Sequence, residues 1–306
     1  MDDKQSTNRR HFLKATVLSL VASWIPTVGS ARDVSRLERG LAALEKASGG
    51  RLGVALLEIG QDNVAGHRFN ERFGMCSTFK LALAGLILRE IQDGHLELDA
   101  PVSYSATDMV PHAPVTSRFL EQGQMTVGAL AEAAQTTSDN VAANLLLNLI
   151  DGPAGFTRRL RDLGDKTTRL DRYEPDMNVV PPGEMRDTTT PAASATTVKT
   201  MLFGDFLNAE NRQQLADWTR QTRTGRRRLR AGFPATWVSG DKTGTGMDET
   251  MPTKYNDIAV VWPTDTIPGF VLATFYDDDG KRGVFRREDE KVLKSAGQLA
   301  AEYYSF

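Results

Sequence analysis

A single cysteine, Cys76, stands in a chain of 306 residues, so no intramolecular disulfide can staple the fold. Four histidines, His11, His67, His95 and His112, form no HxH, HExxH or CxxC grouping, which argues against a zinc hydrolase built on those motifs. Excess charge of one sign is missing too: 37 Lys and Arg against 39 Asp and Glu leave a net −2, and nothing global pulls the chain toward nucleic acid. Proline and glycine are ordinary at 13 and 26, and no repeat or low-complexity tract is visible. With 40% hydrophobic and 25% charged residues the composition is that of a globular protein, long enough to bury a sizeable core.

Long apolar runs are scarce as well. The strongest is Ala15 to Ala31, uncharged and ending in Gly29-Ser30-Ala31, directly after Asn8-Arg9-Arg10-His11-Phe12-Leu13-Lys14. Basic flank, apolar middle and small-residue end are the parts of an export signal. Arg9-Arg10 followed by x-Phe-Leu-Lys resembles the bacterial twin-arginine leader. Residues 1–31 are therefore expected to be a cleaved signal peptide, with Ser19, Ser23, Pro26 and Gly29 making the stretch short and polar for a membrane span. The leader carries four basic residues against two acidic ones, so the remainder holds −4. The expectation is an exported, periplasmic or secreted protein with no membrane attachment after cleavage and no nucleic-acid partner.

Helical spacing of Val34, Leu37, Leu41 and Leu44 after Asp33 predicts an opening amphipathic helix. Strands are expected at Arg51–Ile59, His67–Phe69, Ala235–Ser239, Ile258–Trp262 and Phe270–Tyr276. Helices are expected at Ser77–Gln92, stopped by Asp93-Gly94, at Val127–Gln135, Asn140–Ile150 and Ala195–Leu207, and at Arg287–Tyr304. Strands at both ends and helices in the middle suggest an α/β layer assembled from the two termini, with an all-helical insertion. Between the helices, Arg169 to Thr190 holds Pro175, Pro181, Pro182 and Gly183, and an irregular loop of that length inside a compact protein is usually functional.

Four groups of residues offer chemistry. Ser77-Thr78-Phe79-Lys80 places a hydroxyl and an amine on one face of a helix start, where the amine can help take the hydroxyl proton and the helix terminus adds partial positive charge. Alone this pattern is weak, since average usage gives roughly one S-x-x-K per 300 residues. Ser239-Gly240-Asp241-Lys242 is a second copy, set aside because positions i and i+3 of a strand face opposite ways. Ser138-Asp139-Asn140 stands before a helix, where the same residue types also serve as ordinary caps. Lys242-Thr243-Gly244-Thr245-Gly246 is a glycine-rich segment that a ligand can approach closely, or a turn with a solvated lysine. Glu174 and Asn178, four residues apart in the central loop, can hold one water between them, or be a solvated acid and its neighbour.

The ordered set S-x-x-K, S-D-N and K-T-G, with an acid in the loop between, resembles the class A serine β-lactamases over about Asp33 to Phe306. The resemblance implies an antiparallel sheet flanked by helices and an all-helical part. Residues 32–73 and 218–306 would form the α/β part, and 74–217, with an omega-type loop at 172–187, the helical part. It implies hydrolysis of penicillins and cephalosporins through an acyl-enzyme on Ser77, with Lys80 as its partner and Ser138 passing a proton to the lactam nitrogen. Lys242 would act near Ser138 and the substrate carboxylate, and Glu174, helped by Asn178, would activate the deacylating water. Asn140 would bond the substrate side chain, and Thr243, Gly244 and Thr245 would line the carboxylate seat with Arg228 behind it. The backbone N–H groups of Ser77 and Thr245 would form the oxyanion hole. Arg172 and Asp187 would close the loop, and His112 would sit on the rim. No metal or cofactor is implied, and a monomer is the family expectation.

Three readings stay open on the sequence. One is a hydrolysing β-lactamase, for which Glu174 with Asn178 is the discriminating feature. Another is a DD-peptidase or penicillin-binding protein that stays acylated. The third is a non-catalytic β-lactam sensor, which would need a membrane segment beyond the leader. Two departures from the family pattern stand out. Gly246 occupies the position where some carbapenem-hydrolysing members carry a cysteine paired to the residue before the nucleophile, and Met247 to Tyr255 is a few residues longer than usual.

Overall fold

Asp33 caps the first helix, α1 (Val34–Ser48), by accepting the Arg36 N–H at 3.0 Å, and Gly49 ends it in the left-handed region. The computed structural model describes residues 1–2, 33–265, 267–280 and 283–305, so the proposed leader, apart from residues 1–2, lies outside the described residues. After α1 come β1 (Arg51–Glu58), β2 (Val64–His67) and β3 (Phe73–Gly74), then α2 (Phe79–Gln92). The helical middle contains β4 (Pro101–Ser103), β5 (Gln124–Thr126), α3 (Val127–Thr137), α4 (Asn140–Leu149), α5 (Gly152–Leu163), β6 (Thr188–Thr189), α6 (Pro191–Phe203) and α7 (Ala209–Gln221). The chain closes with β7 (Ser239–Gly246), β8 (Lys254–Val261), β9 (Phe270–Asp277) and α8 (Arg287–Tyr303).

The main sheet is antiparallel, in the order β2-β1-β9-β8-β7. The first strands of the chain thus pair with its last ones, the α/β layer from both termini that the sequence suggests. Leu52, Val54 and Leu56 of β1 enter one core with Leu37 and Leu41 of α1 and Leu293 and Ala296 of α8. Ala55 and Leu57, one residue out of phase, enter a second core with the helices of the middle. A sheet covered on both faces needs apolar residues at every position, which is why its strands read as unbroken runs. In α2, every residue from Phe79 to Leu88 is buried, so this helix runs through the second core with no solvent face along that length. It carries Lys80 inward with it.

Several boundaries differ from the sequence expectation. The second strand is Val64–His67, because Arg68 turns the chain out of the sheet at φ 44° and sends its guanidinium to Glu45 and Glu71. The strand expected at Ala235–Ser239 is instead Ser239–Gly246, which includes the K-T-G segment itself. Trp237 lies in a turn closed by its N–H to Pro234 O, its ring packed on Phe233, Phe270 and Tyr304. Helix α6 starts at Pro191, capped by Thr190, four residues before the apolar spacing becomes visible. The helix expected from Ser77 opens as a tight 3-10 turn over Cys76–Thr78 before α2 begins. No described helix is long and apolar enough to cross a membrane.

Candidate active site

Ser77 sits on that 3-10 turn, next to Cys76, which is buried and held at φ 46°. A left-handed residue of this kind is costly unless its surroundings fix it. Of the other left-handed non-glycine residues, His112, Ser138 and Asp187 also belong to the predicted set. β7 passes against the nucleophile turn at Gly244, where a Cβ would lie 2.8 Å from Met75 O and 3.1 Å from Thr78 N. Only a residue without a side chain lets the strand come this close. The same approach brings Thr245 to the nucleophile turn. Asn256 holds the chain leading into the turn, donating its Nδ2 to Gly74 O at 2.8 Å and Met75 O at 3.0 Å.

The Ser77 hydroxyl lies between a cation and an anion. Lys80 Nζ donates to Ser77 Oγ at 2.9 Å, and Ser77 Oγ donates to Glu174 Oε1 at 3.0 Å. Lys80 Nζ is also 2.9 Å from the same Glu174 oxygen, and it donates to Ser138 O at 3.0 Å and to Asn140 Oδ1. Lys80 and Glu174 are both fully buried at the side chain. Burial pushes the Lys80 ammonium below the usual lysine range, and Glu174 pulls it back up. Burial would raise the Glu174 carboxyl, but Lys80, Asn178 and Ser77 outweigh it and hold it below the ordinary value. Glu174 Oε1 thus faces both the Lys80 amine and the Ser77 hydroxyl, with the serine proton aimed at it.

Ser138 supplies the next link. Its Oγ accepts from Lys242 Nζ at 3.0 Å and lies 3.5 Å from Lys80 Nζ. Lys242 is wholly buried and also donates to Thr243 O at 2.8 Å. Desolvation, with Lys80 as a second positive charge, depresses its pKa strongly. Behind the strand, Arg230 pairs with buried Asp241 at 2.9 Å. Burial raises Asp241 to about 6, and burial with Asp241 alongside holds Asp257 well above the usual carboxylate range. Asp139, between the two functional residues of its triplet, accepts the N–H groups of Val115, Thr116 and Ala142. The capping reading of this triplet holds for Asp139, while Ser138 and Asn140 face the cleft.

The long loop delivers Glu174. Arg172 Nε meets Asp187 Oδ2 at 2.6 Å, and Arg172 Nη2 reaches Val179 O at 2.8 Å. Asp187 is fully buried and also takes the N–H groups of Asp171 and Arg172 at 2.7 and 3.0 Å. Its carbonyl accepts the Met75 N–H at 3.0 Å, so the loop closure is tied to the chain that enters the nucleophile turn. Asn178 Nδ2 donates to Glu174 Oε2. Glu174 thus touches Ser77 directly, a tighter arrangement than the water-separated one its spacing with Asn178 suggests.

Arg228 is buried. It donates to Gly244 O at 2.7 Å, Asn256 O at 2.8 Å and Thr245 Oγ1 at 2.7 Å, and pairs with Glu290 at 3.2 Å. Thr243 Oγ1 bonds Thr224 Oγ1 at 2.6 Å. His112 is exposed at the rim, its ring against Thr137 O at 3.2 Å and its carbonyl accepting the Asn140 N–H at 2.9 Å. A Cβ at Gly246 would come within 2.9 Å of both Cys76 Sγ and Asn178 O. Ser77, Lys80, Ser138, Asn140, Glu174, Asn178 and Lys242 thus form one connected network, with Thr243, Gly244, Thr245 and Arg228 along the adjoining strand. Among the described residues no cluster of His, Cys, Asp or Glu could hold a metal ion.

Sequence reasoning missed Asn256 and three further contributors. Asn144 accepts the Glu174 N–H at 3.0 Å and donates to the Glu174 carbonyl at 2.9 Å. Asn148 accepts from the Tyr173 hydroxyl at 2.9 Å. With Asn140 these make an i, i+4, i+8 stripe on α4, a signal that could have found them. Met251 carried no signal: it is fully buried and its sulfur accepts the Val180 N–H at 3.1 Å, joining the longer β7–β8 connection to the loop.

Comparison with known proteins gives one answer. The profile of the β-lactamase enzyme family matches residues 36–304. The chain is 37% identical to β-lactamase CTX-M-8 of Citrobacter amalonaticus over 98% of its length and 99% of that protein. It is 42% identical to the carbapenem-hydrolyzing β-lactamase KPC of Klebsiella oxytoca, covering 85% and 86% of the two chains. An ancestral class A β-lactamase of Gram-negative bacteria superposes with a TM-score of 0.81 at 46% identity, over 87% of this chain and 99% of that one.

Proposed function

Because the chain belongs to the class A β-lactamase family and hydrolyses β-lactams, we propose a course for the reaction in which Ser77 is the acylated nucleophile. The observation that carries this reading is the Ser77 hydroxyl held between Lys80 Nζ and Glu174 Oε1. Ser77 Oγ attacks the lactam carbonyl carbon and its proton passes to Glu174. The developing oxyanion is received by the backbone N–H groups of Ser77 and Thr245. As the C–N bond breaks, the nitrogen takes a proton from Ser138. Lys80, between Glu174 and Ser138, resupplies that proton and recovers one from Glu174. Lys242 keeps the Ser138 oxygen in a positive field throughout.

In the second half Glu174, again a carboxylate, takes a proton from a water that attacks the ester carbonyl. Ser77 leaves and regains the proton from Glu174. Splitting one difficult hydrolysis into two steps is the purpose of the covalent intermediate. Thr243 and Thr245, with Arg228 behind Thr245, bond the substrate carboxylate. Asn140 bonds the side-chain amide, and His112 flanks the entrance. Cys76 and Gly246 cannot form a disulfide, so the site works without that cross-link.

The proposal extends to the protein's setting. Residues 1–31 act as a twin-arginine signal, and the remainder works as a monomer in the periplasm or outside the cell. Residues 74–217 serve as the helical wall of the cleft and 32–73 with 218–306 as its sheet wall. The test is a kinetic panel with purified mature protein: benzylpenicillin, a cephalosporin, cefotaxime and a carbapenem, beside Ser77→Ala. Turnover of the first two, lost in Ser77→Ala, is expected; equal turnover by the variant would overturn the role of Ser77.

A further inference from the structure

The arginine run Arg226-Arg227-Arg228-Leu229-Arg230 divides sharply in the structure. Arg228 and Arg230 turn inward to Glu290 and Asp241, whereas Arg226, Arg227 and nearby Arg223 are exposed. Their segment is pinned along the free edge of β7. The Arg223 N–H bonds Thr136 O at 3.0 Å, Thr224 bonds Thr243, and the Arg228 N–H closes a turn on Gly225 O at 3.0 Å. Gly225 lies so close to the Asp241 carboxylate that a Cβ there would collide with it. The backbone is thus pressed against the strand that carries Thr243 and Thr245, and the flanking arginines are left at the mouth of the cleft.

These three guanidinium groups have no hydrogen-bond or ion-pair partner among the described residues. Several surface arginines elsewhere are paired, Arg68 with Glu45 and Glu71, Arg89 with Asp93, Arg158 with Asp151, and Arg186 with Glu184; among the described residues Arg118 and Arg287 are also exposed without a partner, but they are not grouped together. The chain as a whole is net negative, so an uncompensated positive patch here runs against the global charge. A local field of this kind concentrates ligands of opposite sign and raises their capture rate.

We propose that Arg223, Arg226 and Arg227 form a cationic collar that draws β-lactams into the cleft by their carboxylate and favours substrates with a second negative charge near it. The inference rests on the assignment of Thr243, Thr245 and Arg228 as the carboxylate seat. A class of substrate follows: cephalosporins whose 3-substituent is itself acidic, so that both charges face the collar. The collar acts on capture, and kcat stays with the buried network.

For unit charges about 10 Å apart in water, three such charges change the affinity for one negative charge about fivefold at an ionic strength of roughly 0.01 M and about twofold at 0.15 M. A second negative charge at the same distance squares these factors, to about 25-fold and about fourfold. The experiment measures kcat and KM at both ionic strengths for the parent enzyme, the triple Arg223→Gln/Arg226→Gln/Arg227→Gln variant and the corresponding triple Arg→Lys variant. Three cephalosporins are compared: one with an acidic, one with a neutral and one with a cationic 3-substituent. The expected result is a rise in KM in the glutamine variant at low salt, steepest for the acidic substrate and within twofold for the net-neutral one. kcat should be unchanged, and the lysine variant should match the parent. An equal loss for all three substrates, or a parent kcat/KM that does not respond to salt, would overturn the collar while leaving the hydrolase intact. Absence of turnover by the parent would overturn the activity and the collar with it.

Discussion

Removing the Arg172 side chain tests the link between loop closure and chemistry. Arg172→Ala deletes the 2.6 Å bond to Asp187 and the 2.8 Å bond to Val179 O. Charge-assisted hydrogen bonds contribute about 1.5–3 kcal/mol each, so a simple sum reaches about 3–6 kcal/mol. Two features lower it. Asp187 keeps the N–H groups of residues 171 and 172, and the Arg172 side chain is 22% exposed, so water takes over part of its solvation. A loss of about 2–3 kcal/mol remains, at the lower edge of the cost of splitting a buried pair. For a protein of this size that lowers Tm by about 5–10 °C. Glu174 is two residues away but is also held by Asn144 and Asn178. Its displacement should therefore be partial, with kcat falling about 10- to 100-fold. Calorimetry reads the first quantity, and stopped-flow hydrolysis of nitrocefin with mass detection of the acyl-enzyme reads the second. A Tm within about 1 °C of the parent together with kcat within twofold would refute the coupling.

Two further perturbations reach other parts of the account. Burial would raise Glu45, but Arg68, the Leu52 N–H and His67 outweigh it and bring the carboxyl down to about 2. Its contribution is therefore present above the unfolded value near 4.5 and is lost as the pH falls toward 2. Glu45→Gln should cost about 1–2 kcal/mol at pH 7, a figure reduced for solvent screening of this surface-proximal group. Urea unfolding should show the gap to the parent closing by about pH 2–3; a gap that is constant from pH 7 to 3 contradicts the assignment. At Met251, substitution by leucine keeps the volume but leaves the Val180 N–H without its partner, for a loss of about 1–2 kcal/mol. Met251→Ala adds a cavity and should lose about 2–5 kcal/mol and slow deacylation. Thermal melts and pre-steady-state kinetics separate the two variants, and a Met251→Leu variant as stable as the parent would remove the sulfur contact from the argument.

The reacting groups were legible because their motifs are local. Ser77 and Lys80 are three residues apart, Ser138 and Asn140 two, and Glu174 and Asn178 four. Secondary structure was legible where a single face is buried, as in α1. Two-sided burial also left a trace, the unbroken apolar runs of α2, β1 and β9, whereas glycine blurred it: β7 carries Gly240, Gly244 and Gly246, a composition unlike that of a strand, yet it pairs with β8 along its whole length. Helices α5 and α7 went unnamed. α5 opens on Gly152-Pro153, and α7 buries only Leu215, Ala216, Trp218 and Thr219 along its 13 residues. Contacts between distant segments were the least legible. Nothing near Val180 announces Met251, 71 residues away, because a thioether accepting a backbone N–H leaves no periodic trace.

The central claim is that Glu174 completes the reaction on an ester formed at Ser77. Glu174→Ala, mixed with excess benzylpenicillin and followed by intact mass and peptide mapping, tests it most directly. The account predicts slowed acylation, with Lys80 still 2.9 Å from the Ser77 hydroxyl to take its proton, ending in a stable adduct on the peptide containing Ser77, with steady-state turnover almost abolished. Undiminished hydrolysis, or an adduct carried by any other residue, would contradict it.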